Sequence, residues 1–202
     1  MVTVEVSPVR VEMRLSAGRI ACPGCGAGLR PWGWSGRRSV RDLRGLRLEL
    51  RPRRSRCPQC GATHVLLPVT VLLRRADAAV VIGAALVARA AGSGHRVIAA
   101  GLGLPDQTVR GWLRRFAGRA GVVREVFTVL LVQVAPSDPV LPDPRGALFA
   151  DGVAAVLAAA GAVTARWPEM VALSPWQVAS ALSGGRLLAP GWPRSSINAS
   201  RP

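Results

Sequence analysis

The hydrophobic rhythm of the chain changes near residue 74. Before that point apolar and polar residues alternate. Val2, Val4 and Val6 are followed, across a break at Ser7-Pro8, by Val9, Val11, Met13 and Leu15. A period of two belongs to a half-buried strand, so two short strands are expected here. Leu46, Leu48 and Leu50 alternate with Arg47, Glu49 and Arg51, which predicts another strand with one charged face. Its antiparallel partner is expected over residues 32–40, bent at Gly33 and Gly36 and turned through residues 42–45. Residues 65–73 supply a further extended segment.

After that the period becomes helical. Asp77 is expected to open a helix over residues 78–91 that is apolar nearly all round, hence buried, and that Gly92-Ser93-Gly94 ends. A short helix is expected over residues 95–101, a turn at Gly103, and a helix from Pro105 to about residue 119. Ile98, Ala99, Leu102, Gly103, Leu104, Val109 and Trp112 together have the spacing of a helix-turn-helix. Ala99 is small where the helices cross, Gly103 takes the turn, and the apolar residues form the shared core. An ordinary αα-hairpin is the competing assignment. The second helix argues against it by presenting Asp106, Gln107, Arg110, Arg114 and Arg115 on one side, which is what a major-groove reader needs. Farther on, residues 122–134 read as an apolar helix, 135–146 as a Pro/Asp linker and 147–167 as an Ala-rich helix. Ser174-Pro175-Trp176-Gln177 is a capping box opening a helix that stops at Gly184-Gly185, and the tail from Pro190 is expected to fray.

The cysteines give the first half its chemistry. Cys22-Pro23-Gly24-Cys25-Gly26 and Cys57-Pro58-Gln59-Cys60-Gly61 are two arms of the same shape, and they hold all 4 cysteines of the chain. Each arm puts two thiolates on a tight turn, and the glycine after the second Cys leaves backbone N–H groups free to face sulfur. Four thiolates complete a tetrahedral set for Zn²⁺ with no position open to water or substrate, so the expected cofactor is a structural zinc ion. Two Cys-x-x-Cys disulfides would be strained and would tie nothing together, whereas one ion closes the long loop between the arms. No βαβ pattern surrounds either arm, which argues against thioredoxin-like redox chemistry. His64, just after the second arm, is a fifth candidate ligand, but with four thiolates present it reads as a turn or surface histidine. Two knuckles holding a sheet too small to be stable without its metal make a zinc ribbon.

Charge then points to a partner. The net charge of +16 and pI near 11.8 suit a polyanion, most simply nucleic acid. Lys is absent, so codon bias toward Arg contributes to the total, and placement is more informative than count. Residues 1–75 carry fifteen Arg against four acids, residues 76–120 six against two, and residues 121–202 six against five. Arg51, Arg53, Arg54 and Arg56 precede the second arm, with Arg37, Arg38, Arg41 and Arg44 on the expected opposing strand, making a basic face. Trp32 and Trp34 share a parity, so they either stack on bases or, as is commoner in a small ribbon, form its hydrophobic lid. The apolar stretches 78–88 and 152–165 fall short of the ~18 residues of a membrane span, and no secretory signal is visible. A cytoplasmic protein in a reducing compartment is expected, with no membrane and no small-molecule substrate.

Two such knuckles, an Arg-rich approach to the second, and then a helix-turn-helix resemble the N-terminal DNA-binding region of insertion-sequence transposases. They are more similar still to a family of short uncharacterised bacterial proteins built from that region alone. The resemblance spans residues 20–120. It rests on Cys22/Cys25, Cys57/Cys60, Arg53-Arg54-Ser55-Arg56-Cys57, and Leu102-Gly103-Leu104-Pro105 followed by Thr108-Val109-Arg110. It implies binding to double-stranded DNA at defined ends or operators. Transposases continue into an RNase-H-like domain with three spaced carboxylates for two metal ions. Here only Glu125, Asp138, Asp143, Asp151 and Glu169 follow, two of them in the Pro-rich linker, so no strand transfer is expected.

The expected fold is α+β: a four-cysteine zinc ribbon with flanking strands over 1–73, an all-α helix-turn-helix domain over 74–120, and an Ala-rich helical region with linker and frayed tail over 121–202. The expected function is that of a non-enzymatic, zinc-stabilised DNA-binding protein, a transposase-related accessory or transcriptional regulator. Its expected DNA contacts are Gln107, Arg110, Arg114, Arg115, Arg37, Arg38, Arg51, Arg53, Arg54 and Arg56. An RNA-binding or ribosome-associated ribbon is the alternative. A third reading has residues 121–202 forming a homodimer or recruiting a transposase.

Overall fold

The alternating N-terminal run folds into two different elements in the computed structural model, which describes residues 1–135 and 138–193. Strand β1 spans Val2–Val4, but Pro8–Ser16 is a helix, α1, and not the expected second strand. The apolar set contains both a period of two and an i,i+4 pair, and the cap decides between them. Ser7 accepts from the Arg10 N–H and Pro8 sits in the first turn, which favours helix. Val11 and Leu15 are therefore buried, while Val9 and Met13 face solvent.

The strand expected over residues 32–40 is two strands. β2 (Arg30–Trp34) pairs antiparallel with β5 (Arg53–Arg56), and β3 (Arg38–Arg41) pairs antiparallel with β4 (Arg47–Leu50). Between them the Ser35 N–H donates to the Pro52 carbonyl, so the segments follow one long hairpin. Pro52 has no N–H to return, and the β2 register shifts between Pro31 and Trp34 around Gly33, whose φ is 101°. β6 (Thr63–Pro68) completes a four-stranded sheet in the order β1-β6-β5-β2, with β1 and β6 parallel.

Asp77 does not cap the helix that follows. Ala78 occupies that position without a side-chain bond, and Asp77, 3% exposed, accepts a 2.7 Å bond from Arg41 Nε. The Arg41 N–H donates to the Ala76 carbonyl and the Ala78 N–H to the Arg41 carbonyl, so β3 holds the entrance to the helices. α2 (Ala79–Ala90), α3 (His95–Leu102), α4 (Asp106–Ala117), α5 (Ala120–Val134), α6 (Leu148–Arg166) and α7 (Pro175–Leu182) bring the total to seven α-helices among the described residues. The chain is thus mixed α/β, a small N-terminal sheet followed by helices.

One core runs from Val40 of β3 through Ile82, Leu86, Val109, Phe116, Phe127 and Val156 to Leu187. α5 and α6 lie against each other, with Gly152 giving the room: a Cβ there would stand 3.0 Å from the Ala120 carbonyl oxygen. At Gly83 of α2 the indole of Trp176 fills the space a side chain would need. α6, with 19 residues, is longer than the apolar stretch read from the sequence and is apolar enough to cross a membrane, but half of that window is buried within the protein. The capping box at Ser174 and Gln177 forms as expected. Residues 187–189 are buried and Trp192 lies edge-on to Phe127 at 6.2 Å, so the chain stays packed beyond Pro190. The rest of the expected frayed tail, 194–202, lies outside the described residues, as do linker residues 136 and 137.

Candidate metal centre

Both arms fold by the same hydrogen bonds. Cys22 N–H donates to Ala27 and Gly26 N–H returns to Cys22; Cys57 N–H donates to Ala62 and Gly61 N–H returns to Cys57. Gly26 and Gly61 have φ of 77° and 72°, a conformation costly for any residue with a Cβ. In each arm the first Cys is buried and the second is exposed. The β5–β6 hairpin fixes one arm, and the isolated bridge between Ala21 and Gly28 closes the other.

The four sulfurs lie within 4.8 Å of one another, with Cys22 Sγ 3.7 Å from Cys60 Sγ and Cys25 Sγ 3.4 Å from Cys57 Sγ. Sulfurs bound at ~2.3 Å to one tetrahedral ion would stand about 3.8 Å apart. The spacing fits, and Cys22, Cys25, Cys57 and Cys60 can together hold a metal ion.

The turns favour thiolate at the first position of each arm. Backbone N–H groups facing Cys57, that of Cys60 foremost, bring it down to about 6 against the opposing effect of burial. Cys22 is lowered by the Gly24 N–H first, again against burial, with help from the Cys25 N–H and His64. Cys25 moves the other way, to about 12: the Ala27 N–H pulls it down, but Cys57, burial, Cys60 and Cys22 together outweigh that. Crowded sulfurs cannot all be anionic without a cation among them. A bound metal supplies that charge and displaces the remaining protons.

His64, weighed from the sequence as a fifth ligand and set aside as a turn or surface histidine, lies against this centre without being one of the four ligands. Its Nε2 is 3.6 Å from Cys22 Sγ and its Nδ1 is 3.1 Å from the Met1 amine. With the amine donating into Nδ1, the ring proton sits on Nε2 and points at the sulfur. The available signal was parity: His64 and Leu66 share one face of β6, and Leu66 belongs to the same buried cluster as Cys22.

The arginines of the basic face have different employments. Arg53 is held by Glu12 at 2.8 and 3.1 Å and by the Gly33 carbonyl at 2.6 Å. Arg38 is turned inward, with Nε and Nη2 buried and unpartnered, and burial lowers its pKa. Arg37, Arg51, Arg54 and Arg56 are exposed. Trp32 and Trp34 are half-exposed, and guanidinium groups cover their rings: Arg56 lies 4.8 Å from the Trp32 centroid, and Arg53 and Arg51 lie 4.6 and 5.6 Å from that of Trp34. The tryptophans are therefore not a buried lid.

About 50 residues downstream, α3 and α4 meet at Gly103, which has φ of 63° and supplies the left-handed turn. α4 buries Val109, Trp112, Leu113 and Phe116, and leaves Asp106, Gln107, Arg110, Arg114 and Arg115 exposed. Arg115 folds back onto the Gly111 carbonyl, and Asp106 accepts from the Gln107 N–H at the helix start.

A domain described as a domain of unknown function (DUF6431) is found over residues 22–112, from the first cysteine of the metal centre to Trp112 of α4. No curated protein and no solved structure matches the chain.

Proposed function

We propose that this is a non-enzymatic DNA-binding protein stabilised by Zn²⁺, acting as a transposase-related accessory or a transcriptional regulator. Four thiolates in a closed tetrahedral set suit zinc, and a set without an open position suits a structural ion. α3 and α4 serve as the helix-turn-helix. The observation that carries this reading is the division of α4: four large apolar residues face the core, while Gln107, Arg110 and Arg114, spaced by three and four, are exposed on the other side. Gln can pair bidentately with adenine and Arg with guanine, each worth roughly 1–3 kcal/mol of discrimination. Arg37, Arg51, Arg54 and Arg56 would hold phosphates. Arg53 and Arg38 drop out of that role, because one is committed to Glu12 and the other is turned inward.

Trp32 and Trp34, half-exposed and each with a guanidinium group over its ring, favour a second reading, in which these arginine–tryptophan stacks meet structured RNA, the bases stacking on whatever face the arginines leave open. Affinity for duplex DNA and for structured RNA, compared at matched salt, separates the two. Selecting from a random duplex pool with the wild type and Arg110→Ala then tests base reading. Changed preferences at particular base pairs support it, and identical preferences remove α4 from that role.

A further inference from the structure

α5 is apolar on two opposite faces. Ala120, Val123, Phe127 and Leu131 are buried in the core, whereas Val122, Val129 and Val132 are 41%, 54% and 52% exposed. Residues seven and three apart share one side of a helix, so these three valines form a single stripe. Leu148, 61% exposed at the start of α6, joins them: it lines a cleft of about 410 Å³ with Val129, Thr128, Glu125, Arg124 and Gly121. Outward valines give a helix nothing by themselves. Their β-branched side chains restrict rotamers and lower helix propensity, and only burial repays that. Glu125 stands within the stripe and Arg124 beside it, and neither has an ion pair among the described residues.

We infer that this face binds a second copy of the same chain about a two-fold axis. Charge selects the occupant. Residues 1–120 carry twenty-one Arg against six acids, so two copies meeting there repel, while residues 121–202 are nearly balanced, with six Arg against five acids. An acidic partner would be drawn to the ribbon and not to this surface. A carboxylate inside an apolar stripe needs a cation when the stripe is covered. The second copy carries that cation at the neighbouring position: with two α5 helices antiparallel, each Glu125 meets the other copy's Arg124. The surface is thus self-complementary, as a two-fold contact requires. Because α4 ends at Ala117 and α5 begins at Ala120, the contact also sets the distance between the two α4 helices.

The inference does not rest on nucleic-acid binding, and its test contains none. The metal-loaded full chain is examined by sedimentation equilibrium at high salt, where repulsion between the basic regions is screened. A dimer is expected for the wild type at micromolar concentration. Val129→Arg and, separately, Glu125→Arg should each weaken it by about tenfold or more. Arg124→Glu combined with Glu125→Arg should restore it, since the exchanged pair is still complementary under the two-fold. Helical circular dichroism and bound metal are measured on every variant, and the charge-exchange pair decides the matter if Val129→Arg fails to fold. A wild type that stays monomeric up to sub-millimolar concentration overturns the inference, as does a dimer indifferent to these substitutions.

Discussion

The metal-arm region and the helical region hold together by different means. The first has a separate core of only eight buried residues, Val4, Val11, Leu15, Ile20, Cys22, Leu29, Cys57 and Leu66, two of them the inner cysteines of the metal centre. The second is built on one continuous apolar cluster reaching from Val40 to Leu188. A core of the first size does not by itself repay the conformational entropy of ordering this region, and an ion held by the four cysteines would supply the difference. Helices packed as α2, α5 and α6 are need no such help. Charge follows the same division in degree: residues 1–75, with little apolar surface to bury, carry fifteen Arg against four acids, and the helical remainder carries twelve against seven, nearly balanced only beyond residue 120.

The largest expected effect breaks the first region alone. Cys57→Ser should remove most of the metal affinity, whose apparent free energy is about 10–16 kcal/mol for structural sites of this kind. Metal content should fall and the sheet resonances should collapse, while the helical circular dichroism persists. Simultaneous loss of both signals would show that the helices depend on the ion as well.

Gly83→Ala is the mirror experiment. The new methyl meets the Trp176 ring, and overpacking of this sort costs about 1–3 kcal/mol. A lower melting temperature of the helical signal is expected, with metal affinity unchanged. The joint between the regions is addressed by Asp77→Asn. Arg41 is about one-third exposed, so it recovers some hydration when its partner's charge is lost, and the cost should be about 1–2 kcal/mol. Sheet and helices should then melt at temperatures farther apart, as followed by separate probes. A variant melting as one unit at the wild-type temperature would remove Arg41–Asp77 as the tie.

The smallest effect sharpens the description of the metal centre. His64→Ala should weaken metal binding by about tenfold, the lower end for a hydrogen bond to a ligand, and His64→Gln should recover part of it. With Co²⁺ as the bound ion, the thiolate charge-transfer absorption should move in His64→Ala. An unmoved band would reduce His64 to a packing residue.

Much of this protein could be read locally. The cysteine spacing, the glycine after each arm, Gly103 at the α3–α4 turn and the Ser174/Gln177 capping box all work through neighbours within a few residues, and each formed as its chemistry required. The outward position of Gln107, Arg110 and Arg114 was also legible, because helical periodicity sorts a long amphipathic segment by itself.

What required the tertiary structure was every choice between two locally acceptable states. Val9 to Leu15 satisfies both periods, and the cap at Ser7 together with burial of Val11 and Leu15 selects helix. Asp77 is a reasonable cap until Arg41, 36 residues earlier, offers a charged partner. Arg53 looks like a phosphate contact until Glu12, 41 residues away, takes it, and His64 looks like a surface histidine until the sheet carries it to Cys22, 42 residues away. The last three pairings have no signature in local sequence, whereas the Ser7-Pro8 cap did have one. A side chain's partner depends on which surfaces the whole chain brings together, and that is decided by burial and ion pairing over separations that local periodicity does not span.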